Sequence, residues 1–146
     1  MKSQSLTFGE TKFGNADLGD KRRTRRLVKS ADSMRLRPGG SLPQKFRAPK
    51  ELRAFYRLMN SPEVTQEAVL SAHRNATLAK LAQTESTVLI LHDATELDFT
   101  THASLPDLGQ IGNGNQRGYI AQNSLAVNPE TREALGLCNQ VLHRRA

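Results

Sequence analysis

Five cations in six positions, Lys21-Arg22-Arg23-Thr24-Arg25-Arg26, open the stretch that most constrains this chain. Residues 20–60 hold 13 Lys+Arg against 3 Asp+Glu. Residues 1–19 carry two of each sign, and residues 61–146 carry 6 basic and 9 acidic side chains. The net charge of +7 therefore arises in one segment. Charge of this density cannot enter a core without paired partners. It must form surface, and a surface of one sign is the footprint of a polyanionic partner.

The period of that segment is helical. Asp20 is placed as an N-cap, its side-chain oxygen available to an orphan amide of the first turn. Thr24, Leu27, Val28, Ala31 and Met34 recur at helical spacing and form one apolar stripe. Arg22, Arg25, Arg26 and Lys29 fall on the opposite face, with Arg23 at the stripe's edge. Charge runs are ordinarily solvated faces, but such faces mix signs, and here no acid intervenes until Asp32. Like charges at i,i+3 and i,i+4 cost helix stability, and phosphates would relieve that cost.

Arg37-Pro38-Gly39-Gly40-Ser41-Leu42-Pro43 reads as a turn or linker. A second basic stretch follows: Lys45, Arg47, Lys50, Arg53 and Arg57. The spacing predicts a helix from Pro49 to Met59 with Leu52, Phe55, Tyr56 and Met59 inward and Arg53 and Arg57 sharing a face. Tyr56 reads as a core aromatic with an exposed hydroxyl before it reads as a base-stacking platform. Thr65 then caps a helix from Gln66 to about Ala82, in which His73 is expected as a core histidine. Residues 1–82 are thus expected to form an all-helical DNA-binding domain.

The period changes after residue 85. Ser86-Thr87-Val88-Leu89-Ile90-Leu91-His92-Asp93 is apolar on both faces, the pattern of a strand buried mid-sheet and ending in a carboxylate. Such an acid must be paired, hydrogen-bonded or bound to a cation, an Asx-turn with Thr95 being the plain alternative. Glu96 and Asp98 are near in sequence but project opposite to Asp93 if the chain stays extended. The histidines are too scattered for zinc, and the Gly-rich run Leu108 to Gly118 matches neither a Walker loop nor a dinucleotide fingerprint. Asn123–Val127 and Glu133–Leu142 flank Asn128-Pro129-Glu130-Thr131-Arg132 as a β-hairpin. A strand and a hairpin without covering helices make a poor independent domain, so the expectation is a fold that the chain begins and does not finish.

Composition removes other classes. No apolar run reaches the length of a membrane span, and the first residues have no apolar signal region. The single Cys138 excludes an internal disulfide and points to a reducing compartment.

Four runs together resemble the DDE transposases of the bacterial insertion-sequence-four family. They are Phe13-Gly14-Asn15-Ala16-Asp17-Leu18-Gly19-Asp20-Lys21-Arg22-Arg23-Thr24-Arg25-Arg26-Leu27, then Phe55-Tyr56-Arg57-Leu58-Met59-Asn60, then Leu91-His92-Asp93-Ala94-Thr95, and Arg117-Gly118-Tyr119. The resemblance implies an α+β chain: a helical domain binding double-stranded transposon-end DNA, then residues 83–146 as the incomplete start of an RNase H-like catalytic domain. It implies Arg22, Arg23, Arg26 and Arg57 as DNA-binding positions, where the helical wheel favours Arg25 and Lys29 beside them. It implies Asp93 as the first of three catalytic, metal-holding acids that bind Mg²⁺ in the complete enzyme. Gln122 stands where family members often carry His. The other two acids have no counterpart here, so this polypeptide alone is expected not to cleave or join DNA. A full-length transposase is the implied protein partner, and the bacterial cytoplasm and nucleoid the implied location. The alternatives are a stand-alone DNA-binding regulator and a small metal enzyme using Asp93, Glu96 and Asp98.

Overall fold

The computed structural model describes residues 5–145; the outer ends of the two expected domains, residues 1–4 and 146, lie outside the described residues. The chain divides into two units, Met1–Ala76 and Thr77–Ala146. The division falls inside the fifth helix, whereas the sequence placed a boundary at that helix's end.

The first unit begins with α1 (Phe8–Phe13), a helix that the reading of the sequence did not anticipate. Its signal was present: Thr7 and Glu10 form a capping box. The Thr7 hydroxyl accepts from the Glu10 amide at 3.1 Å, and the Glu10 carboxylate accepts from the Thr7 amide at 2.8 Å. The Leu18-Gly19-Asp20 run then does three separate jobs. Leu18 is only 1% exposed and anchors the loop in the core. Gly19 turns the chain at φ +73, a conformation that disfavours a side chain. Asp20, in extended conformation, caps α2 (Lys21–Leu36) by accepting from the Arg22 amide at 2.7 Å.

Helix α1 lies directly on α2. A Cβ at the buried Gly9 would run into the Val28 carbonyl, so only glycine permits this approach. The Gly9 amide donates to Asp32 at 2.7 Å, and the Arg35 guanidinium sits 5.0 Å from the Phe8 ring centroid. The expected break after α2 is present. Its far side forms a further short helix, α3 (Leu42–Lys45), where the Ser41 amide donates to Gln44 at 2.7 Å. Helices α4 (Pro49–Met59) and α5 (Gln66–Ala82) follow, with Pro49 in the first turn of α4 and the Thr65 hydroxyl accepting from the Ala68 amide at 3.1 Å.

The core of this unit joins Ala16, Leu18, Leu27, Leu58 and Ala72, with Phe13, Val64, Ala68 and Val69 packed against it. Each buried leucine contributes about 1.5–3 kcal/mol relative to exposure. His73 stacks on Phe13 with centroids 5.8 Å apart.

The second unit holds one antiparallel sheet: β1 (Leu89–Asp98), β2 (Gly109–Gln110), β3 (Arg117–Asn128) and β4 (Glu133–His143). Strand β3 is central. It pairs with β1 from Leu89↔Val127 to Asp98↔Gly118, with β4 from Ile120↔His143 to Asn128↔Glu133, and with β2 at Gly118 and Arg117. The predicted hairpin is β3–β4, longer at its open end than its apolar runs. Its turn is an Asx-turn in which the Asn128 side chain accepts from the Glu130 amide at 2.9 Å, and Arg132 takes φ 61.

Two expectations for β1 are corrected. It is an edge strand, not a central one, and Leu89, Ile90 and Leu91 are 43–48% exposed. An apolar run reports what a strand could bury; among the described residues no strand other than β3 pairs with β1. The strand also does not end at Asp93. It continues to Asp98, so Asp93 lies mid-ladder opposite Asn123, and the Asx-turn with Thr95 is absent.

Candidate nucleic-acid interface

The cations of α2 divide into two kinds. Arg23 and Arg26 are engaged with acids and partly covered. Arg23 donates to the Leu18 carbonyl at 2.9 Å and pairs with Glu63 at 3.1 Å, its side chain 31% exposed. Arg26, at 29%, donates to Glu51 on α4. The helical wheel placed Arg26 on the free face; it sits at the border, where α4 supplies an acid.

The others point outward. Arg22 is 85% exposed and folds back on its own cap, 3.0 Å from Asp20. That hydrogen bond raises the Arg22 guanidinium's affinity for its proton and holds the Asp20 carboxyl below its usual range. Arg25 and Lys29 are exposed and make no ion pair among the described residues. Both line an open groove of 660 Å³ between α1 and α2, together with Lys21, which sequence reasoning left out. Lys21 stands one helical turn before Arg25 and two before Lys29, a row visible in the sequence as three cations at i, i+4 and i+8. The groove also contains Glu10 and Asp32, whose carboxylates are bonded to the amides of Thr7 and Gly9.

Helix α4 adds a second basic face. Lys50, Arg53 and Arg57 are exposed at helical spacing and have no acid partner among the described residues. Tyr56 is 44% exposed, its ring 6.0 Å from Phe55. It is less enclosed than the core role expected of it.

In the second unit, Asp93 is exposed on one face of the sheet. Its cross-strand neighbour Asn123 accepts from Gln140 at 2.8 Å, so the row beside the acid consists of amides. Glu96 and Asp98 lie on the other face, as strand alternation requires. Glu96 accepts from the Gly112 amide at 2.9 Å and so fastens the Gly-rich loop. Asp98 accepts from the Thr100 hydroxyl and amide, which holds its carboxyl below the ordinary range. Among the described residues no group of three His, Cys, Asp or Glu is placed to hold a metal ion. No helix among them is long and apolar enough to cross a membrane.

Helices α1 to α4 and every cation discussed on them fall within residues 6–64, and that stretch matches the transposase DNA-binding family. The match of the N-terminal helical part of this mixed helix-and-sheet chain supports a transposase DNA-binding domain and, with it, a DNA-binding role.

Proposed function

We propose that this chain is the end-binding N-terminal part of a cut-and-paste DDE transposase of the insertion-sequence-four type. The observation that carries the reading is the overlap between the matched stretch, residues 6–64, and the exposed cations Arg22, Arg25, Lys29 and Arg57. These side chains approach phosphates without breaking any interhelix bond. The partner is double-stranded DNA at a transposon end, and a nucleoid location follows from that partner.

Residues 83–146 are read as the opening strands of an RNase H-like core. Support comes from the antiparallel order, with a long hairpin after a first strand that carries Asp93. Asp93 is the catalytic acid that the resemblance assigns to this stretch. The donor set here does not fit a pair of Mg²⁺ ions: one carboxylate has only the amides Asn123 and Gln140 in its row. No cleavage or joining step is therefore assigned to this polypeptide. The role assigned to the residues present is occupation of transposon ends; a full-length transposase would bind the same ends.

The test is a salt series of binding to terminal-repeat and unrelated duplexes. Tighter binding to the repeat, with log K falling linearly in log salt, supports the reading. Equal affinity of an Arg22, Arg25, Lys29 and Arg57 quadruple-Gln variant overturns it.

A further inference from the structure

We infer that the groove between α1 and α2 is a track for one sugar–phosphate strand, gripped by Lys21, Arg25 and Lys29, while Arg23 and Arg26 tie helices together and do not touch DNA. The inference rests on the DNA-binding reading and names the part of the surface that performs it.

The row has the right geometry. Residues four apart rise about 6 Å along a helix, so the three cations form an evenly spaced ladder along the groove. They turn about 40° per step and so follow a gently winding path. All three line the same groove, and none is paired with an acid among the described residues. The two carboxylates of the groove keep their charge but leave the three cations in excess, and each is held at α1, Glu10 by the Thr7 amide and Asp32 by the Gly9 amide.

The remaining lining suits the other half of a nucleic-acid strand. Gly14, Ala16 and Val28 give the groove apolar surface, against which a deoxyribose ring can rest while its phosphates meet the cationic rim. Asn15 at the wall offers a donor and an acceptor within the same groove.

Arg23 and Arg26 have the opposite character. Each is about two-thirds covered and bound to an acid from elsewhere in the helical unit, Glu63 and Glu51 respectively. Contact of either with a phosphate would bring its partly exposed carboxylate partner up to the DNA backbone, where like charges repel. This assignment differs from the one implied by family resemblance, which placed Arg23 and Arg26 in contact and did not include Lys21.

The experiment uses the full chain and a short duplex of arbitrary sequence, with affinity measured across a salt series and folding followed by thermal denaturation. Lys21→Gln, Arg25→Gln and Lys29→Gln are expected to keep the wild-type midpoint and each to reduce the salt slope by about 0.9. Arg23→Gln and Arg26→Gln are expected to lower the midpoint and keep the slope. A triple groove variant with the wild-type slope overturns the track, as does a slope reduced by Arg23→Gln or Arg26→Gln in folded protein. A wild-type chain that binds no duplex fails the underlying DNA-binding reading, a result distinct from binding that ignores the groove.

Discussion

Arg26 on α2 donates to the carboxylate of Glu51 on α4, a bond between side chains 25 positions apart in sequence. Both partners are partly exposed, at 29% and 38%, so solvent screens the pair. A double-mutant cycle of Arg26→Ala and Glu51→Ala should give a coupling of about 0.5–1 kcal/mol in urea unfolding. Coupling indistinguishable from zero would show that the pair does not hold α2 to α4.

Asp20 serves both as the cap of α2 and as the acid on Arg22. Asparagine caps as well as aspartate but cannot neutralise a guanidinium. Asp20→Asn should therefore keep the thermal midpoint and steepen the salt dependence of DNA binding, while Asp20→Ala lowers the midpoint. Identical midpoints for the two variants would remove the cap from the account.

Gly9 meets the Val28 carbonyl where α1 crosses α2. Gly9→Ala forces the helices apart and should cost about 1–3 kcal/mol, the usual penalty of overpacking. DNA affinity should fall with it, since α1 is one wall of the groove. Unchanged stability by chemical denaturation would mean that α1 is not docked in this way.

Burial is the main cause that pushes the His73 imidazole below its ordinary value of 6.5, with the nearby Lys12 charge adding to the effect. The folded state then binds its proton less readily than the unfolded state. Stability from this site is complete above pH 6.5 and declines as the pH falls through 6.5 toward the lower folded value. Urea midpoints should drop across that window, and His73→Leu should flatten the drop. A wild-type profile that is flat there contradicts the burial of the ring.

Strand β1 exposes Leu89, Ile90 and Leu91 at a free sheet edge. Edges of this kind template association with other chains. Leu91→Lys should reduce concentration-dependent light scattering; scattering equal to wild type would place the sticky surface elsewhere.

The helices were legible because their boundaries carry local chemistry. Asp20, Pro49 and Thr65 each announce a first turn, and the intervals between apolar residues repeat with the turn of the helix. Helix α1 was missed because it is too short for a periodic stripe, although Thr7 and Glu10 mark it. The hairpin was legible from Asn128 and the strand-like runs on either side. What the sequence could not tell was which strand occupies the centre. The apolar run of β1 looks more buried than β3, with its Gln122, Asn123 and Ser124, yet β3 is the strand paired on both edges. Pairing depends on backbone neighbours, which side-chain alternation does not identify. The interface was half legible for a similar reason. A helical wheel sorts residues by angle on one helix, and the acids that claim Arg23 and Arg26 come from outside it.

The turn of Leu18, Gly19 and Asp20 sets the rotational phase of everything that follows on α2. One residue inserted between Arg25 and Leu27 would preserve every charge in the chain. It would nonetheless swing Lys21, Arg22 and Arg25 by about 100° relative to the buried leucine. Tolerance in this segment is thus uneven: exchange of one cation for another is mild, whereas insertions and deletions of single codons dismantle the surface.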